Sequence, residues 1–68
     1  MNNNSKKNIP LPEGTPVCLA DDQNKQQVGK IKAHRPIRLE GLIVTHAYVV
    51  ENRSNLFIVF HEEILVAT

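Results

Sequence analysis

Five consecutive apolar residues, Leu56-Phe57-Ile58-Val59-Phe60, place the strongest constraint on how this chain folds. A strand sends alternate side chains to opposite faces, so a half-buried strand reads apolar, polar, apolar. This run does not alternate. Neither do Leu42-Ile43-Val44, Ala47-Tyr48-Val49-Val50 and Ile64 to Ala67, so much of the second half of the chain is apolar on both strand faces. A domain of about 60 residues buries only about 60% of its unfolded surface. With 68 residues, this one cannot lay a full layer over each face, and the surplus points to contact with another chain.

The usual staples of small domains are missing. Cys18 is the single cysteine, which excludes an intrachain disulfide and fits a reducing, intracellular compartment. Between Val17 and Leu19 it reads as a small apolar filler. The basic residues Lys6 and Lys7 are not followed by an apolar segment. No run approaches the roughly 20 apolar residues that span a bilayer. The expectation is a soluble, cytoplasmic protein. Its net charge of +1 supplies no bulk attraction for nucleic acid.

Residues 1–12 read as a disordered tail, rich in asparagine and lysine and ending in Ile9-Pro10-Leu11-Pro12. Residues 13–68 form one domain. Strands are expected over Thr15 to Ala20, Gln27 to His34, Leu42 to Asn52, Leu56 to Phe60 and Ile64 to Ala67. Val28 and Ile31 are spaced oddly for one face, and Gly29 between them suggests a bulge. Beyond it, Ile31 and Ala33 are expected to face inward and Lys30, Lys32 and His34 outward. Arg35 to Gly41 reads as a connecting loop, because Pro36 cannot donate to a ladder. Asn52-Arg53-Ser54-Asn55 has the composition of a tight hairpin turn, and His61-Glu62-Glu63 that of one short helical turn capped by His61 with its neighbours. The fold class is all-β, a small five-stranded barrel.

Strand and turn chemistry over residues 13–68 resembles the small SH3-like barrels. Gly14-Thr15-Pro16-Val17 opens a strand, Val28-Gly29-Lys30-Ile31 follows, and Ala47-Tyr48-Val49-Val50-Glu51 precedes a hairpin. His61-Glu62-Glu63-Ile64-Leu65 is similar to the turn before the last strand of that fold. Three groups share it. In KOW-type modules a Gly-Lys-apolar strand, similar to Gly29-Lys30-Ile31, implies RNA or protein binding. SH3-like accessory subunits dock on larger complexes without doing chemistry. Type II dihydrofolate reductases, pore-forming tetramers, have a strand similar to Tyr48-Val49-Val50-Glu51. Their pore-lining Val-Gln-Ile-Tyr is Leu56-Phe57-Ile58-Val59 here, without the glutamine and the tyrosine.

Two surfaces stand out as candidate sites. Lys25, Lys30, Lys32, His34, Arg35 and Arg38 occur with no acid between Asp22 and Glu40. Lys30, Lys32, His34, Arg35 and Arg38 are the expected contacts for an acidic partner or a nucleic acid. Single-stranded RNA calls for exposed aromatics, whereas Tyr48, Phe57 and Phe60 all sit in apolar runs. The second surface is Leu56, Phe57, Ile58, Val59 and Phe60, a protein interface with Leu56, Ile58 and Phe60 on one face and Phe57 and Val59 on the other. Ile9 and Leu11 folding back as plugs would be the other way to cover it.

Cys18, His46 and His61 with Glu62 or Glu63 do not match compact metal-ligand spacing, and no metal or cofactor is expected. His46 reads as a packed, hydrogen-bonded residue. Asp21-Asp22 and Glu62-Glu63 are adjacent pairs without the convergence that acid–base chemistry needs, so no enzyme is expected. The sequence thus predicts a non-catalytic interaction module or accessory subunit that self-associates or docks on a larger protein. A KOW-like nucleic-acid module is the alternative, and a reductase-like tetramer the enzyme-class outsider.

Overall fold

The computed structural model of the chain describes residues 9–67. Expectations for residues 1–8 and Thr68 lie outside the described residues. The fold is all-β, with β1 Pro16–Leu19, β2 Gln27–Leu39, β3 Leu42–Asn52, β4 Asn55–Phe60 and β5 Ile64–Val66. A single 3-10 turn, His61–Glu63, joins β4 to β5. Every pairing is antiparallel, in the order β4-β3-β2-β1-β5.

The sheet wraps around one core made of Val17, Ile31, Tyr48, Val50, Val59 and Ile64, at least one residue from each strand. Leu11, Leu19, Val28 and Phe57 pack against it. The result is barrel-like, although no ladder joins β4 to β5 among the described residues. Cys18 is a buried free thiol, as a small filler should be. Among the described residues no helix is long and apolar enough to cross a membrane.

Ordered chain begins before Glu13. The Leu11 N–H donates to the Tyr48 hydroxyl at 3.0 Å, and both the Thr15 N–H and its hydroxyl donate to the Pro12 carbonyl. The tail expected to run to residue 12 therefore gives way to defined structure by Leu11, whose side chain docks on the core. Ile9 stays exposed.

The loop expected over Arg35 to Gly41 is absent. β2 continues to Leu39 and returns through Glu40-Gly41, with Leu39 paired to Leu42. Both turn residues have positive φ, 53° and 83°, the mark of a two-residue type I′ turn. Pro36 is tolerated because β1 pairs with β2 only between Gln27 and Lys30, so the far side of β2 is open at the proline. Since β4 pairs with β3 only from Ala47 onward, the end of this hairpin projects as a two-stranded ribbon.

Two bulges lie in β2. Val17 pairs with Gly29 and Cys18 with Gln27, which leaves Val28 as an extra residue beside Gly29. Ile31 pairs with Val50 and Ala33 with Val49, which leaves Lys32 extra as well. Ile31 is buried and Lys30 and Lys32 are exposed as expected, but the second bulge changes the facing from Ala33 on. Ala33 is exposed and shares the outer face with Val49, while His34 shares the inner side with Tyr48.

Candidate interaction surface

The Asn52–Asn55 hairpin sets the register of β4 on β3. Phe57 faces Val50 and Val59 faces Tyr48, both on the core side. Leu56, Ile58 and Phe60 lie opposite Glu51, Val49 and Ala47 on the outer side, and are 57%, 69% and 45% exposed. The five residues singled out in the sequence thus divide: Phe57 and Val59 pack inward, and three large apolar side chains stand in a row outside.

Cross-strand pairing carries this face further than the sequence indicated. Val49 lies opposite Ala33, and Ala47 opposite Arg35. Beside the small alanines is a shallow hollow of about 240 Å³ lined by Ala33, Arg35, Ala47, Val49 and Ile58, and also by His34 and Tyr48. Ala33 was missed because its place depends on the bulge at Lys32, which no local composition announces, whereas Ala47 and Val49 face outward by alternation with the buried Tyr48 and Val50. Apolar side chains at least partly exposed thus run over three strands, β2, β3 and β4.

The basic segment is not one patch. Lys32 Nζ is 3.9 Å from Glu51 Oε1, with both side chains about half exposed, so the pair is loose and contributes little to stability. Lys30 is paired to Glu51 and Arg35 to Ala47, which puts Lys30, Lys32 and Arg35 beside the apolar face. His34 is turned to the other side by the bulge. Arg38 is at the ribbon end, donating to the Gly41 carbonyl at 3.4 Å. Lys25 is held in the β1–β2 loop, donating to the Ala20 carbonyl at 2.8 Å.

A histidine–tyrosine cluster lies where the core meets the ribbon. Tyr48 is fully buried, and its hydroxyl is 2.7 Å from His61 Nδ1. The same oxygen accepts the Leu11 N–H, and whether it donates to or accepts from His61 Nδ1 is set by the histidine tautomer. Burial pushes the Tyr48 phenol above its usual 10.0; the Leu11 N–H opposes the shift and the Glu62 charge adds to it. His61 does not cap the short turn with its side chain. Glu63 does so by accepting the Phe60 N–H at 2.7 Å, while Thr45 donates to Glu62 at 2.8 Å.

His46 sits 5.9 Å from His34 and 6.4 Å from His61 between ring centroids, and it is 2% exposed. The expectation of a packed residue holds. The expectation of a hydrogen-bonded one does not, because neither ring nitrogen has a partner among the described residues. A buried polar group without a partner costs about 1–3 kcal/mol, and an apolar group of similar shape removes that cost. His46→Leu is therefore expected to raise unfolding stability by about 1 kcal/mol in urea titrations followed by circular dichroism. A loss of stability would show that the imidazole is satisfied in solution.

A scan against protein-family models found no match, and searches of curated proteins and of solved structures found none either.

Proposed function

We propose that this chain is a non-catalytic interaction module of SH3-like type, a small subunit that self-associates or docks on a larger complex through the outer face of β4. The observation that carries the reading is the row of exposed Leu56, Ile58 and Phe60, continued by Val49, Ala47 and Ala33. Burying each such large side chain gains roughly 1.5–3 kcal/mol, enough for three of them to anchor a partner. The SH3-like reading is supported by the strand order with its central β3-β2-β1 meander, by β5 pairing back onto β1, and by the 3-10 turn before the last strand.

Ile58→Lys tests it. The side chain points outward, so the variant should keep the wild-type circular dichroism and melting temperature while losing association, read as absolute mass by light scattering. Association that survives Ile58→Lys unchanged would remove this face as the interface. A nucleic-acid module is favoured by one feature, the Lys30, Lys32 and Arg35 side chains beside that face. In that case Lys30→Gln with Lys32→Gln should flatten a salt-dependent affinity for single-stranded RNA.

A further inference from the structure

Building on the reading of β4 as an interface, we propose that the partner is a second copy of this chain, joined edge to edge in an antiparallel β4–β4 ladder about a two-fold axis.

The backbone directions come from the hydrogen bonds of β2. Ile31 donates to the Thr15 carbonyl and accepts from the Gly14 N–H, so its own groups point away from β3. Its pair with Val50 is then of the non-hydrogen-bonded kind, and Val50 sends its groups to Phe57 on β4. By alternation Leu56, Ile58 and Phe60 direct their N–H and C=O groups to the open side. The Phe60 N–H is taken there by the Glu63 carboxylate. Among the described residues, Leu56 and Ile58 are left as an edge with unpaired donors and acceptors.

That edge lacks the devices that keep sheet edges apart. β4 reads Asn55-Leu56-Phe57-Ile58-Val59-Phe60, with no charge and no proline, and it runs for six residues where the opposite edge, β5, has three. The charges flanking β4 select the partner and its direction. Arg53 precedes the strand and makes no ion pair among the described residues, and Glu62 and Glu63 follow it. In an antiparallel pair related by a two-fold, each Arg53 comes beside the acidic turn of the other copy. A parallel pair would set like charges together. With Phe57 at the centre, Leu56 pairs with Ile58 of the partner subunit, every open group between Asn55 and Phe60 is satisfied, and the outer apolar row runs on across the axis.

Amide hydrogen exchange of the wild-type chain, measured from dilute to concentrated solution beside light scattering, tests the ladder. The expected result is a mass rising toward twice the 7.7 kDa of one chain, with the Leu56 and Ile58 amides slowing by about tenfold or more as it rises. Ile58→Pro, which removes only an outward N–H, should fold and stay monomeric. A chain that remains a monomer at all concentrations overturns the proposal. So does a dimer whose Leu56 and Ile58 amides stay as fast as in dilute solution, or one that Ile58→Pro leaves intact. Face-to-face association gives that last pattern together with a dimer broken by Ile58→Lys, which preserves the wider reading of the surface while removing the edge. If Ile58→Pro does not fold, the wild-type amides decide.

Discussion

Tyr48→Ala is expected to lower unfolding stability by about 3–5 kcal/mol, the usual cost of deleting a buried aromatic ring. A chain of this length has about 3–10 kcal/mol in total, so much of the variant should be unfolded at 25 °C. The size of the effect follows from position. Tyr48 lies opposite both His34 on β2 and Val59 on β4, and it is fully buried among residues contributed by each strand. Its hydroxyl also ties down the N-terminal approach through the Leu11 N–H and meets His61 at the β4–β5 turn.

Tyr48→Phe separates ring from hydroxyl. It should cost only about 1–2 kcal/mol and should speed exchange of the Leu11 amide while leaving core amides protected. The same residue sets an alkaline limit. Because burial raises the phenol above 10.0, the folded state holds that proton more tightly than the unfolded chain does. The stability it contributes is complete below about pH 10 and is lost as the pH rises through the raised value. Urea titrations from pH 8 to 11 should show a decline in wild type that Tyr48→Phe reduces. An undiminished decline would assign it to other groups.

Gly29→Ala is the second large effect, a loss of about 3 kcal/mol. The reason is space rather than torsion. Gly29 is buried where β1 and β3 flank β2, and a Cβ there would lie 2.6 Å from the Glu51 carbonyl oxygen and 2.7 Å from Val50 Cγ1. The first contact is with backbone, so no rotamer relieves it, and β2 and β3 must move apart next to the core pair Ile31–Val50. Thermal and urea unfolding of Gly29→Ala measure the cost. A change below about 1 kcal/mol would mean that the Val28 bulge absorbs the methyl group.

Local chemistry made several elements legible. Asn52 to Asn55 reads as a turn and is one, with Arg53 at φ 59°. Leu56 to Phe60 reads as a strand apolar on both faces, and only the structure shows that Leu56, Ile58 and Phe60 are the exposed set. His61 to Glu63 reads as a helical turn and forms a single 3-10 turn. In each case the signal is carried by the residues of the element itself. Pro36 shows where that stops. Its missing N–H argued for a loop, yet the cost of a lost ladder bond vanishes on an open side, and only the extent of β1 reveals that the side is open.

His46 belongs with Pro36, since whether a buried imidazole finds a partner depends on which strands converge on it. Lys32 had the widest consequence. One extra residue in β2 moved Ala33 to the outer face and His34 to the side of Tyr48, broke up the basic segment, and gave the β4 surface its extension onto β2.

Composition and alternation thus determined that the chain is all-β, roughly where its strands lie, and that it carries more apolar surface than one small core can bury. Those properties depend on side-chain period and turn chemistry, which are local. Tertiary structure alone decided which residues share the exposed face and which backbone groups at the edge of β4 remain open. Both depend on register, and a one-residue slip in pairing sends every later side chain and every later hydrogen bond to the opposite side.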